Sequence, residues 1–351
     1  MEPLSAVIER RLAAWGFPDL PLERELFAAS EPVAIAAAVD AWCRAHLGAG
    51  VEEYVFFESS SGSVHGVRLV DGRAVVVKGH RAAASRAFLD AVLAVQAGLA
   101  SSGYPAPRPL AGPVPAGSGH VTAEEMVLCD TAVDGHDPDL RRLLASGLAQ
   151  FVALGRPYRD ALAAAAHPMD VPADALYPRP HSARFDFAAT NEGAEWIDDL
   201  AARARAVLRA GPDVPRAVVH GDWRIENVGI RAGRLAAVYD WDSARAAPEH
   251  EALAAAATTF SVDWRRERGQ RFPVPAEIGA FVGDYAVARG TPLAAWERKL
   301  AAAAIVASLA YGARCEHADR GRPPAGADSH RGLLREIGAA LLDEGLAVLA
   351  G

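Results

Sequence analysis

Three residues define the chemistry this chain is equipped for: Asp222, Asn227 and Asp240. Asp222 and Asn227 lie five positions apart in a polar loop that follows the apolar run Ala217-Val218-Val219. That run reads as a short buried strand. Val228 to Ile230 and Leu235 to Tyr239 read as two more strands around an Ala232-Gly233 turn. The hairpin they form returns Asp240 to the side of the first two residues. A carboxylate beside a hydroxyl orients it and accepts its proton, and an amide oxygen with a second carboxylate makes a hard oxygen set for Mg²⁺ on nucleotide phosphates. The set suits phosphoryl transfer. The chain has only two Asn, Asn191 and Asn227, and one falls where an amide ligand is required.

The wider stretch reads His220-Gly221-Asp222, then Asn227, then Asp240-Trp241-Asp242. This pattern, HGDxxxxN followed by hydrophobic-Asp-Trp-Asp, resembles the catalytic loop of the aminoglycoside phosphotransferase and choline kinase-like family. It is less similar to the HRDxxxxN and DFG motifs of protein kinases. The resemblance runs with motifs from Phe56 to Pro248, and beyond that by helical pattern only. It implies an α+β, two-lobed protein-kinase-like fold, with a small antiparallel sheet in the first lobe and a mostly helical second lobe. It further implies transfer of a nucleotide γ-phosphate to a hydroxyl of a small molecule (an antibiotic, a sugar or another metabolite). ATP is the implied nucleotide, with GTP left open, and Mg²⁺ the metal. Asp222 is then the base, and Asn227 and Asp240 the metal ligands. His220 is structural, its ring bonding backbone near the metal-binding Asp, and Asp242 is a secondary metal or structural ligand. Arg224 reaches either the γ-phosphate or a phosphate-bearing substrate, or else forms a salt bridge with Glu226 or another carboxylate.

Stepping upstream, residues 4–15 and 31–47 read as amphipathic helices, with Ser30 capping the second and Pro32 in its first turn. They are expected on the outside of the first lobe, with no chemical role. Val51 to Phe57, Val64 to Val70 and Arg73 to Lys78 read as strands, with Asp71-Gly72 a hairpin turn. The first connection is rich in small residues, and Ser60, Ser61, Gly62 and Ser63 are candidates to cradle phosphates through backbone N–H groups and hydroxyls, a plain hairpin turn being the competing reading. No GxxxxGK[ST] motif occurs, which argues against a P-loop kinase. The resemblance assigns Lys78 to the α- and β-phosphates. Thirty-four of the 36 basic residues are Arg, so a Lys here suggests that Arg would not serve. The family also pairs that Lys with a helix Glu. No Glu occurs between Lys78 and Glu124, and Asp90, in a helix over 82–100, is the substitute candidate. Tyr104 to Pro115 reads as an extended link, and Val121 to Leu128 as the strand into a hinge whose backbone from Glu125 through Met126 to Leu128 meets the adenine. Met126 either packs on the base or belongs to the core. The lobes are expected to be 1–127, with a helical extension over 1–48, and 128–351.

The second lobe reads as helices at 138–154, 192–210, 249–260, 275–289, 292–317 and 331–349, with an irregular insert from Tyr158 to Phe187 and Ala244 to Pro248 as a connector. Trp223, Asp263 and Trp264 are candidate acceptor contacts, alongside Phe260, for which core packing competes. Arg265, Arg266, Arg268 and Arg271, with Asp263 and Glu267, make this segment basic and argue against a polycationic acceptor. The net charge of −8 argues against a nucleic-acid partner. No apolar stretch reads as a membrane span or a signal peptide. Cys43, Cys129 and Cys315 form no metal-spaced cluster and suit a reducing cytoplasm. Another reading, a catalytically weak nucleotide-binding scaffold or regulator, draws on the missing helix Glu. A protein kinase is disfavoured because the connector from Asp240 to Glu249 is short for an activation loop.

Overall fold

The computed structural model describes residues 3–15, 20–130, 133–182, 184–264, 269–319 and 326–350. The chain divides into two compact units, Met1–Leu128 and Cys129–Gly351, and is of the α+β class.

The first unit opens with α1 (Ala6–Trp15), α2 (Pro21–Phe27) and α3 (Pro32–Leu47). The strands β1 (Val51–Ser59), β2 (Gly62–Leu69) and β3 (Ala74–His80) follow, then α4 (Arg86–Ser101), β4 (Pro109–Ala116) and β5 (Gly119–Glu125). The strands form one antiparallel sheet in the order β1-β2-β3-β5-β4. Side chains alternate across it. Val75, Val77, Val121 and Ala123 lie in the core with Ile35, Val39 and Trp42 of α3 and Ile8 of α1. Lys78, between Val64 on β2 and Thr122 on β5, belongs to the opposite face. The helix α4 buries the stripe Phe88, Leu89, Val92, Val95, Gln96 and Leu99, and its cap Ser85 accepts from the Phe88 N–H at 3.2 Å.

Three expectations change here. The residue before α3 is Glu31, not Ser30, and no side chain caps that end; Pro32, which lacks the N–H, starts the helix. The short helix α2 is an addition. The Pro-rich segment is not a free link: Pro109–Ala116 forms the edge strand β4 on β5, with register breaks at Pro109/Ala111 and Ala111/Val114. An edge strand is where a missing donor is tolerated.

In the second unit come α5 (Pro138–Gly155), α6 (Arg159–Ala163) and α7 (Glu195–Ala210). Then come β6 (Arg216–His220), β7 (Val228–Arg231), β8 (Arg234–Val238) and β9 (Ala244–Pro248). The chain continues through α8 (Glu249–Thr259), α9 (Pro275–Arg289), α10 (Ala295–Ala318) and α11 (His330–Glu344). The expected connector Ala244–Pro248 is thus a strand, paired antiparallel with β6. Among the described residues no single helix is long and apolar enough to cross a membrane.

Candidate active site

Two small strand pairs position the catalytic loop. β6 pairs with β9 so that His220 faces Ala244, and β7 pairs with β8 so that Val228 faces Val238. The loop between them closes as a 3₁₀ turn over Ile225–Asn227. The Tyr239 N–H donates to the Asn227 carbonyl at 2.8 Å, which locks the end of the hairpin to the end of the loop. Asp240 then adopts left-handed backbone at φ 61°, ψ 46°, a conformation Asp tolerates better than most residues. His220 is fully buried. Its Nε2 donates to the Tyr239 carbonyl at 2.8 Å, beside Asp240. Burial lowers the His220 pKa, with the Tyr239 bond and the nearby Asp240 and Asp222 opposing.

The Asp222 carboxylate is held on both oxygens. Oδ1 accepts from Arg224 Nη1 at 2.8 Å and Oδ2 from Asn227 Nδ2 at 2.9 Å. Asn227 Nδ2 also donates to the Asp222 carbonyl at 2.8 Å. With the amide nitrogen spent on Asp222, the Asn227 oxygen remains the acceptor end of the side chain. Asn227 Oδ1 and the Asp240 carboxylate are hard oxygen donors of the kind Mg²⁺ takes, with phosphates and water filling the remaining positions. The residues present fit that ion. Among the described residues no group of three His, Cys, Asp or Glu makes an all-protein metal cage.

Arg224 contacts Asp222 and Glu226, the latter at 3.0 Å. Burial works against its charge, but Asp222, Glu226 and Asp240 outweigh it and raise its pKa. Of the alternatives for Arg224, the salt bridge is the one present, with Asp222 and Glu226 both as partners. Glu226 also accepts from the Trp264 N–H at 2.9 Å, tying the loop to the segment after α8. Trp264 is 41% exposed, stands edge-on to Phe272 and lies under the Arg271 guanidinium. Asp263 is half-buried. Arg265, Arg266, Glu267 and Arg268 lie outside the described residues.

Trp223 does not face solvent. It is fully buried against Phe151 of α5 and His220, which removes it as an acceptor contact. Phe151 also packs on Trp241 and His220, so one ring supports both halves of the motif. Phe260, stacked on Phe281, is core. The Gly147 position lets α5 approach: a Cβ there would lie 2.7 Å from Leu235 and 3.2 Å from Trp223. These supports went unseen in the sequence, where Phe151 is one apolar residue in an amphipathic helix. His181 lies within electrostatic reach of Asp222 and Arg224; burial lowers its pKa and Asp222 opposes this. Its Nδ1 is 2.8 Å from the Tyr311 hydroxyl.

In the first unit the β1–β2 connection is tighter than expected. β1 runs to Ser59 and β2 starts at Gly62, leaving Ser60 and Ser61 as an exposed turn. The Ser60 N–H donates to the Gly62 carbonyl at 3.0 Å. A Cβ on Gly62 would lie 3.2 Å from Lys78 Cε, so the Lys78 stem passes directly over this glycine. Ser63 is fully buried and its hydroxyl donates to Glu23 at 2.6 Å, which takes it out of the phosphate cradle. Asp90 is exposed and its ion pair is with Arg86, one turn away at 3.5 Å. The inward stripe of α4 carries no acid, so Asp90 is not the substitute helix acid. The Glu125 and Met126 N–H groups are spent on the carbonyls of Arg108 and Ala74, each at 3.0 Å, and cannot serve an adenine edge. Bonding to Arg108 holds the Glu125 carboxyl below the usual carboxylate range. Leu128 is exposed.

Comparison with known proteins gives the family and the fold. The model of a phosphotransferase enzyme family matches residues 59–298. No curated protein sequence matches the chain. Among solved structures, an amicoumacin kinase in complex with AMP-PNP, Ca²⁺ and its antibiotic is similar at TM-score 0.58 and 10% identity, covering 84% of this chain and 89% of that one. A spectinomycin phosphotransferase in complex with ADP and spectinomycin is similar at TM-score 0.53 and 13% identity, with 90% and 97% covered. An ethanolamine kinase of Plasmodium vivax is similar at TM-score 0.50 and 13% identity, with 82% of each chain covered. At such identities the likeness gives the fold alone, and that fold is protein-kinase-like. The family match spans more than half the chain and contains the whole catalytic stretch, and on that ground the chain belongs to the phosphotransferase enzyme family.

Proposed function

We propose that this chain transfers the γ-phosphate of ATP to a hydroxyl group of a small molecule, with Asp222 as the base. The observation that carries the reading is the Asp222 carboxylate itself, fixed by Arg224 and Asn227 at 2.8 and 2.9 Å. A base held at two points presents a defined lone pair to an incoming hydroxyl, and such positioning supplies much of the rate in phosphoryl transfer. The acceptor O–H gives its proton to Asp222 as its oxygen bonds to the γ-phosphorus. The bond from that phosphorus to the β–γ bridging oxygen breaks, and ADP leaves. Asn227 and Asp240 would hold Mg²⁺, which would neutralise charge on the phosphates. Arg224 stands beside the base as a permanent cation for the transferred group. Lys78, the Ser60 hydroxyl and the backbone N–H groups of Ser61 and Gly62 bind the nucleotide phosphates.

The amicoumacin kinase and the spectinomycin phosphotransferase carry AMP-PNP and ADP in their structures, which supports an adenine nucleotide here. The acceptor is an antibiotic, a sugar or another hydroxyl metabolite. Arg224 and Arg271, with Trp264, favour a neutral or anionic acceptor with a flat or sugar-like face over a polycation. The test is a panel of hydroxyl compounds read by ADP production, with Asp222→Ala as the blank. ADP production above that blank with one acceptor supports transfer.

One observation favours a second reading, a nucleotide-binding scaffold: the inward face of α4 offers no acid and Asp90 pairs with Arg86. ATP·Mg binding with no turnover across the same panel would select it.

A further inference from the structure

The first unit holds a buried polar chain that phosphoryl transfer does not use. Glu23 of α2, Ser63 and His65 of β2 are all fully buried, and Tyr54 of β1 nearly so. Ser63 Oγ lies 2.6 Å from Glu23 Oε1 and 2.8 Å from His65 Nε2, and Tyr54 Oη lies 3.3 Å from His65 Nδ1. The carboxylate only accepts, which orders the chain. Ser63 donates to Glu23, His65 Nε2–H donates to Ser63, and the Tyr54 hydroxyl donates to His65 Nδ1. The other Glu23 oxygen has no hydrogen-bond partner. Burying a carboxylate with one oxygen unsatisfied is costly, and an apolar side chain would fill the same space at lower cost.

The helix that delivers Glu23 is fitted to the sheet around this point. A Cβ on Gly79 would lie 2.5 Å from Leu26 Cδ1, and one on Gly119 would lie 2.8 Å from Leu26 Cδ2. Gly117 has φ 54°, and a Cβ there would collide with the Glu25 carbonyl. Ser118 donates to the Glu25 carboxylate. Three glycines and two acid–serine bonds thus seat a seven-residue helix on β2, β3 and β5. Ser63 is the register partner of Ser59 and borders the Ser60–Gly62 turn, and Gly62 lies under the Lys78 stem. Any shift of Ser63 therefore shifts the turn and the lysine together. The helix lies outside the stretch that the family model matches.

We propose that α2 braces the β1–β2 turn in its phosphate-binding shape, with Glu23 as the positioning residue acting through Ser63. The proposal rests on reading that turn as a phosphate-binding element.

The test uses the full chain and two readouts: amide hydrogen exchange over residues 60–64, and ATP·Mg affinity by calorimetry. In Glu23→Ala the exchange of these amides speeds up about tenfold and ATP·Mg binding weakens about tenfold, the size expected for a lost buried hydrogen bond. Glu23→Gln keeps an oxygen for Ser63 and restores most of both. Ser63→Ala cuts the same link from the other side without touching α2, and gives the same local effect if Glu23→Ala fails to fold. A lowered Tm with unchanged exchange at 60–64 and unchanged ATP·Mg affinity would mean plain packing and would overturn the brace. Faster exchange in the variants of a chain that does not bind ATP·Mg at all would uphold the brace and remove the phosphate reading.

Discussion

Asp222 accepts from Arg224 on one oxygen and from Asn227 on the other, so its rotamer is set before an acceptor arrives. Arg224 is the more vulnerable of the two supports, because Glu226 competes for the same guanidinium. Arg224→Met should lower kcat/KM by about 10- to 100-fold, the range for losing a charge-assisted hydrogen bond. Arg224→Lys should recover part of that loss, since it restores charge but not the planar fork. Steady-state kinetics of the three proteins check this. At the residue scale the meeting of Asp222 and Asn227 was legible, because their spacing and the flanking strands put both in one short loop. Ser63 and Trp223 were not. In a strand, successive side chains point to opposite faces, and β2 starts two residues before the expected beginning, at Gly62. That extension moves Ser63 from a loop onto the buried face. Trp223, beside Asp222, points inward to Phe151, which adjacency in sequence does not reveal.

The element that most needs explanation is α2, and it yields two further predictions. Gly79→Ala would push a Cβ to 2.5 Å from Leu26. It should destabilise the chain by about 1–3 kcal/mol, the range for overpacking a tight contact, as read by urea unfolding. The second concerns His65, which desolvation by burial pushes down to about 3. Between its ordinary value of about 6.5 and about 3, the unfolded chain binds a proton at this histidine that the folded chain does not. Stability from this site is therefore present above pH 6.5 and is lost as pH falls through that window. Unfolding midpoints measured from pH 7 to pH 4 should fall, and His65→Gln should flatten the slope. A His65→Gln slope equal to the parent's would contradict the assignment. Long helices were read to within about five residues; the α9 boundaries, Pro275–Arg289, were read outright, because Pro275 opens the helix and Gly290 closes it. Short or Pro-rich elements were not. With seven residues, α2 has too few turns to show a period. β4 carries Pro109, Pro113 and Pro115, which signal a link unless an edge position is known.

For the molecule as a whole, the family match begins at residue 59, yet the first unit's core does not. Ile8, Leu20, Ile35, Val39, Trp42 and Cys43 are buried in one cluster with Val67, Val75, Val77 and Val121 of the sheet. A chain beginning at Val51 would expose that sheet face. It should lose ATP·Mg binding, with residues 51–128 becoming the first digested under limited proteolysis; retention of binding would show the helices to be dispensable. The α+β fold and the phosphotransferase family were legible because both follow from motif order. The interlocking of helices 1–3 with the sheet was not, since apolar helix faces name no partner. The central claim remains that Asp222 is the base of a phosphotransferase. It is tested most directly by radiolabelled γ-phosphate transfer from ATP·Mg to the best acceptor, measured for the parent chain and Asp222→Ala alongside ATP·Mg affinity. The account predicts that kcat falls by about 10²- to 10⁴-fold while affinity for ATP·Mg changes less than about threefold. Equal kcat in the two proteins would contradict it.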